Sequence, residues 1–351
     1  MMITAIDFGT CWIRSAFRNP AHRDRLSVYA ERAEYALIPN TEKHRQLLEE
    51  QSISIATCDN SLAILGNQIN QVKWLSRLPS TPLLSDGIVP IDDPPARQML
   101  NVLVNAVLPA PEGSMNLCAF TVPGSKDRSE QSRRNREFLS RLIEMKGYEP
   151  VEVGSAEAAV LAIGLESSFT GIAVVMGAET TEICISRLGI PLVSATLPLG
   201  SNWIDAEIAK QFKMHAWDGD GQCYIDLEAA RSWKQTSMVS IRHPMGDREQ
   251  TFARLYAVVM DRITRSISQM LKQPSIVSAL GTQRLAVMLA GGPTRTTGFA
   301  NLLTERLIEH ELADRLLSIR TAQDPDLAVV RGALVFAELE ASHRKGQEVA
   351  A

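Results

Sequence analysis

Two related strand–turn–strand segments, one opening the chain and one near its middle, limit what this sequence can fold into. The first reads Ile6-Asp7-Phe8-Gly9-Thr10-Cys11 and the second Val175-Met176-Gly177-Ala178-Glu179-Thr180-Thr181-Glu182. In each, an apolar strand runs into a Gly/Thr turn. An internal echo of this kind implies two lobes of similar design, with the turns facing each other across a cleft. A turn that exposes successive backbone N–H groups forms an anion-binding concavity. A carboxylate at the strand end can hold the waters of a bound Mg²⁺. Asp7 is that carboxylate in the first turn; in the second its place is taken by Val175.

The chain of 351 residues is long enough for two lobes with their own cores, and 45% hydrophobic with 22% charged residues is ordinary for a globular protein. The net charge of −4 argues against a nucleic-acid binder, which needs a basic face. Five scattered cysteines without a CxxC pair read as reduced thiols in a cytoplasmic protein. Asp7 and Arg14 interrupt the apolar N-terminus, so no signal peptide is expected. The apolar region from Ala156 to Gly177 is too broken by Glu157, Glu166 and Gly171 to span a bilayer. His215, His243 and His310 are isolated, with no metal-ligand spacing.

Strands and helices alternate throughout, which predicts an α/β fold. Strands are expected at 2–8, 11–18, 115–122, 150–153, 171–176, 181–187, 190–197 and 285–290. Helices are expected over 92–107, 125–146, 156–165, from 200, over 226–236, 249–272 and 298–312, and from 325 to 340 with a frayed tail. Residues 27–80 look irregular, with short strands only at 52–57 and 61–65 before a helical stretch from Gly66.

Taken in chain order, several segments resemble the superfamily of actins and DnaK-type chaperone ATPases, most closely the MreB family of bacterial actins. Ile6 to Thr10 is similar to its first phosphate loop, and Leu84-Ser85-Asp86-Gly87-Ile88-Val89 to a stretch that MreB sequences carry. Ala156 to Gly164 and Ala328-Val329-Val330-Arg331-Gly332-Ala333 resemble the two interlobe helices. Gly177 to Glu182 falls at the second phosphate loop, and Leu289-Ala290-Gly291-Gly292-Pro293-Thr294-Arg295 resembles the adenosine loop. The resemblance implies a two-lobed actin-like ATPase fold built from duplicated ribonuclease-H-like lobes. It puts lobe I at 1–155 plus 326–351, with a small subdomain about 27–80. Lobe II follows at 156–325, with a small subdomain about 201–275.

The same resemblance implies ATP or ADP with Mg²⁺ as cofactors. Asp7 would orient Mg²⁺ through water, and Gly9, Thr10 and Arg14 would meet the phosphates. Gly177, Thr180 and Thr181 belong to the second loop. Lys234 corresponds to a ribose-contacting lysine, and Gly291, Gly292, Thr294 and Arg295 to the adenosine side. Gly291 and Gly292 would let the backbone approach the base closely, and Arg295 would stack on it. Glu157 corresponds to a glutamate that positions the attacking water; as a bare sequence feature it is equally a helix N-terminal carboxylate favoured by the dipole.

The second loop departs from the pattern. Val175 cannot hold metal-bound water, and Ala178-Glu179 and Gly200-Ser201-Asn202 replace glycines and an acid. A carboxylate at Glu179 about 4 Å from a phosphate would cost about 1 kcal/mol in water and about 4 kcal/mol at an effective dielectric of 20. At most a slow ATPase is expected. The leading reading is an MreB-like cytoskeletal or scaffold protein that binds ATP, self-associates into filaments or oligomers and has a cell-envelope or membrane-associated partner. Its expected location is the cytoplasm or the inner face of the membrane, without nucleic acid. A nucleotide-free pseudo-ATPase adaptor in an envelope or secretion assembly is the alternative, and a small-molecule kinase a third. The extent of the chain suggests neither a peptide-binding domain after the core nor an amphipathic helix before the first strand. The basic helix with Lys126, Arg128, Arg133, Arg134, Arg136 and Arg141 also carries Asp127, Glu130, Glu137 and Glu144, which makes it a solvated face.

Overall fold

The computed structural model describes residues 2–19, 22–72, 80–113, 116–124, 129–217, 221–237 and 239–350. Its frame is two five-stranded sheets of the same design. In the first, the strand order is His22–Arg32, Trp12–Asn19, Met2–Phe8, Asn116–Thr121, Glu149–Glu152. In the second it is Ile190–Leu197, Thr181–Arg187, Gly171–Met176, Leu285–Ala290, Leu316–Thr321. Both place an antiparallel meander on one side and two parallel additions on the other. The register makes the duplication specific: Asp7 pairs with Arg14 in the first sheet, and Val175 pairs with Glu182 at the corresponding position of the second.

Two helices, Ser155–Ile163 and Ala328–Ala350, pack between the sheets. They approach closely because small residues line the seam, among them Ala156, Ala158, Ala159, Ala333 and Ala337. At the crossing, a Cβ on Gly332 would fall 1.7 Å from the Ala158 carbonyl oxygen, so only glycine fits. The outer faces of the sheets carry separate cores, one built on the helices Pro94–Val107 and Glu130–Met145 and the other on Asp247–Leu271 and Phe299–Glu309.

Most predicted elements form within a few residues of their expected ends. The described part of the segment 27–80, up to residue 72 and at residue 80, is far more regular than its sequence suggests. The strand His22–Arg32 extends the first sheet, with rungs from Trp12↔Arg32 to Arg18↔Leu26. A small four-stranded sheet follows, ordered Ile55–Cys58, Ser61–Leu65, Glu34–Pro39, Thr81–Pro82. The helix Glu42–Glu50 lies beside it, capped by Thr41 and burying only Leu48, which leaves no apolar period to find. The last helix continues to Ala350 instead of fraying after residue 342, and Arg344 ties it to Glu149 at 2.6 Å. The strands His215–Trp217, Cys223–Ile225 and Leu316–Thr321 and the helix Pro274–Leu280 are additions that sequence reading missed.

The charged helix is described from Glu130, with Ser129 as its cap. Arg134 pairs with Glu130, and Arg133 with Glu137 at 2.8 Å, both one turn apart. That is the solvated face expected from its mixed charge; Lys126 and Arg128 lie outside the described residues. Among the described residues no helix is long and apolar enough to cross a membrane.

Candidate functional site

The two sheets turn their corresponding strand ends toward one another, and between them lies a cleft of about 900 Å³. The first lobe contributes Asp7, Gly9, Thr10, Cys11, Trp12, Arg14 and Arg32; the second contributes the loop from Val175 to Thr180. Ser201, Asn202, Asp205, Arg231 and Lys234 wall one side, and Gly291, Gly292 and Arg295 another. Ten of the thirteen residues singled out from sequence therefore share one concave surface: Asp7, Gly9, Thr10, Arg14, Gly177, Thr180, Lys234, Gly291, Gly292 and Arg295.

Asp7 lines the cleft with one of its carboxylate oxygens hydrogen-bonded inside the protein. Its Oδ1 accepts a hydrogen bond from Thr121 at 2.7 Å, and Arg14 Nη1 stands 3.7 Å from its Oδ2. Burial pushes its carboxyl up, opposed by the Arg14 charge and the Thr121 hydroxyl. The guanidiniums of Arg14 and Arg32 flank the Trp12 ring, 5.6 and 5.8 Å from its centre.

The second loop is closed by Gly177 N–H donating to the Thr180 carbonyl at 2.8 Å. The helix Ser201–Gln211 docks directly on it: Ser201 N–H donates to Gly177 O at 3.1 Å and Asn202 N–H to Ala178 O at 2.8 Å. Gly200 permits this contact, since a Cβ there would meet Ala178 O at 2.2 Å. The Asn202 side chain then donates to the Glu179 carboxylate and accepts from Arg231 Nη2 at 2.7 Å. Glu179 lines the cleft as its sequence position suggests, but its charge is met by this amide.

Three candidates sit elsewhere. Thr181 is buried and donates to Leu199 O at 2.7 Å, tying the loop to the turn before the docked helix. Thr294 donates to Gly291 O at 2.7 Å and is likewise buried. Glu157 turns back to accept from Gly154 N–H and Ser194 Oγ, both at 3.3 Å, and lines a separate small pocket. The residue of that first helical turn that does face the cleft is Ser155. Gly291 and Gly292 also have a role other than the one expected from sequence. A Cβ on Gly291, whose φ is 92°, would strike Met176 O at 2.0 Å, so this glycine lets two backbones meet. A Cβ on Gly292 would meet Asp326 Oδ1 at 2.8 Å, and Asp326 also holds Arg295 at 2.7 Å.

Sequence reading missed three charged groups of the cleft, Asp205, Arg32 and Arg231, and named Glu182 only as part of the second loop. Asp205 is buried and paired with Lys234 at 2.6 Å and Arg231 at 3.6 Å. Burial raises its carboxyl against the pull of both cations. Arg32 and Arg231, from opposite lobes, both reach Glu228 Oε2, at 3.5 and 3.6 Å. Glu182 is buried and accepts from Gly124 N–H at 3.1 Å and Ser155 Oγ at 3.2 Å. Burial pushes its carboxyl up to about 7, and the nearby Asp7 charge adds to that. The register could have drawn attention to Glu182 beforehand, because it stands across from Val175 where Arg14 stands across from Asp7.

Mg²⁺ does not fit this donor set. That ion keeps several waters and is held through one or two carboxylates together with phosphates. Val175 offers no oxygen, Asp7 has Oδ1 on Thr121 and the Arg14 guanidinium 3.7 Å from Oδ2, and Glu182 accepts from Gly124 and Ser155 through Oε1. Among the described residues no group of three or more His, Cys, Asp or Glu is placed to hold a metal. A phosphorylated nucleotide fits better, since the cleft combines loop backbone, cationic side chains and an apolar wall of Val239, Phe252 and Tyr256.

No curated protein matches the chain in sequence. Among solved structures, the MamK double helical filament aligns at a TM-score of 0.70 and 18% identity, covering 96% of this chain and 98% of MamK. MreB5 of Spiroplasma citri bound to AMPPNP aligns at 0.69 and 17% identity, covering 100% and 99%. The ethanolamine utilization protein EutJ of Carboxydothermus hydrogenoformans aligns at 0.51 and 17% identity, covering 96% and 90%. The fold is thus the two-lobed actin-like fold that the sequence segments resemble. The family profile described as Volactin matches residues 2–337, and the chain belongs to the Volactin family.

Proposed function

We propose that this protein is an actin-like nucleotide-binding scaffold that self-associates, with lobe closure on the nucleotide switching its assembly and with little or no hydrolysis. The observation that carries the reading is the convergence of both loop regions and the Gly291–Arg295 segment on one cleft of about 900 Å³. An adenine nucleotide would lay its phosphates against Gly9, Thr10, Arg14, Gly177 and Thr180, with its base and ribose toward Arg295, Lys234 and the apolar wall. The related folds support it: one is a filament, and two MreB5 structures hold AMPPNP and ADP. Hydrolysis is disfavoured because Val175 supplies no carboxylate and Glu157 is directed away from the cleft. In this reading the lobes are residues 1–155 with 326–351 and residues 156–325, and the protein works in the cytoplasm or at the inner face of the membrane beside an envelope partner.

The nucleotide-free adaptor is the second reading, and one observation favours it. The first N–H groups of the helix Ser201–Gln211, which would otherwise face an anion, are spent on Gly177 and Ala178 carbonyls. Calorimetric titration with ATP and ADP, followed by sedimentation with and without nucleotide, separates the two. Micromolar binding with nucleotide-dependent sedimentation supports the switch. No heat at millimolar ATP, with unchanged sedimentation, leaves the adaptor.

A further inference from the structure

We infer that the cleft takes its nucleotide without Mg²⁺, the guanidiniums of Arg14, Arg32 and Arg231 supplying the positive charge that neutralises the phosphates. The inference rests on the cleft's being a nucleotide site, and it names the ionic form of the ligand: the metal-free polyphosphate.

Three features support it. The first is what stands at Asp7. A guanidinium already lies 3.7 Å from the Asp7 carboxylate, and a divalent cation beside Asp7 would be repelled by it. At 3.7 Å the Arg14 contact is an ion pair beyond ordinary hydrogen-bond length, so it leaves the N–H donors of Arg14 for an anion. The second is the loss of the opposing carboxylate: Val175, at the position equivalent to Asp7, is apolar and only 7% exposed. The third is the anion already bound between the lobes. Glu228 Oε2 sits between Arg32 of the first lobe and Arg231 of the second, at 3.5 and 3.6 Å. The Glu228 side chain is 47% exposed while the two arginines are 19% and 22% exposed. Arg32 Nε also pairs with Glu34 at 2.6 Å and Arg231 Nε with Asp205 at 3.6 Å, so it is the Nη groups facing the more exposed Glu228 that a phosphate entering the cleft can take, displacing that carboxylate toward solvent. Arginine suits the exchange because its planar fork matches phosphate oxygens in pairs.

The test is a titration of the full chain with ATP, once in EDTA and once in excess Mg²⁺, with inorganic triphosphate as a probe of the phosphate site alone. The affinity in EDTA is expected to equal or exceed that in Mg²⁺, within threefold. Arg14→Ala and Arg32→Ala are each expected to weaken binding at least fivefold in EDTA, with Arg14→Lys and Arg32→Lys recovering part of the loss. Unchanged melting temperatures would exclude misfolding of the variants. A tenfold or greater tightening by Mg²⁺ overturns the inference and leaves the nucleotide reading standing. So does wild-type affinity in both alanine variants. Absence of binding in both buffers by folded protein removes the inference and the nucleotide reading together.

Discussion

At the residue scale, the duplication poses the same two cross-strand positions twice and fills them differently. The first sheet puts Asp7 beside Arg14, a charge pair at the cleft; the second puts Val175 beside Glu182, an apolar group and an acid. Restoring the acid tests the assignment: Val175→Asp with Glu179→Gly is expected to make ATP binding Mg²⁺-dependent and to tighten it tenfold or more in Mg²⁺, measured by titration. A double variant that binds as wild type would show that the strand end does not face the phosphates. Glu182 gives a pH signature. Its carboxyl is raised to about 7 in the fold and titrates near 4.3 when unfolded. Folding therefore favours the protonated form: its contribution is complete below the unfolded value, declines as pH rises from about 4.5 to 7, and is gone above that. The span corresponds to roughly 4 kcal/mol. Glu182→Gln should flatten the fall in melting temperature between pH 5 and 8, and a slope equal to wild type would place the titration elsewhere. Asp7, Val175 and the loop glycines were legible in sequence because their roles are local. Ser155, Arg32 and Arg231 were not, since they reach the cleft only through the path of a polar edge strand and two helices.

At the element scale, strands with an apolar face declared themselves and polar elements did not. The strands 171–176 and 285–290 are continuous apolar runs, buried at every position, and are plain in the sequence. The strand His22–Arg32 is an edge rich in charge, held by its ladder to Trp12–Asn19 and by Leu26 and Val28, which pack half-buried against the core. The interlobe helices were found from their resemblance, but the sequence did not show why Gly332 is glycine. Its missing Cβ lets the helix Ala328–Ala350 cross Ser155–Ile163 at the Ala158 carbonyl. Gly332→Ala must push the helices apart, and a loss of about 3 kcal/mol is expected from overpacking. Gly246→Ala, where an added Cβ meets nothing within 4 Å and only the cap of the helix Asp247–Leu271 is weakened, should cost about 1 kcal/mol or less. Urea unfolding midpoints of the two variants compare these directly, and equal midpoints would contradict the tight crossing.

At the scale of the whole molecule, the sheets are joined through one close-packed helix pair, while across the cleft mouth they meet through a few polar contacts. Arg32 to Glu228 at 3.5 Å and Cys11 Sγ to Asn202 at 3.9 Å span the mouth, and exposed pairs of this kind hold little energy in water. A ligand that touches both lobes therefore adds much of the closure energy itself. Binding to the folded state alone stabilises it by about 2.7 kcal/mol at a concentration 100 times Kd, which raises the melting temperature by roughly 4 °C in a protein of this size. ATP at that excess is expected to produce such a shift in EDTA as in Mg²⁺, whereas adenosine, which cannot reach the arginines of the first lobe, should produce a much smaller one at equal concentration. Arg32→Ala should remove most of the difference between the two ligands. Equal shifts with ATP and adenosine in the wild-type protein would mean that the nucleotide binds on the second lobe alone and that closure of the cleft depends on something other than its phosphates.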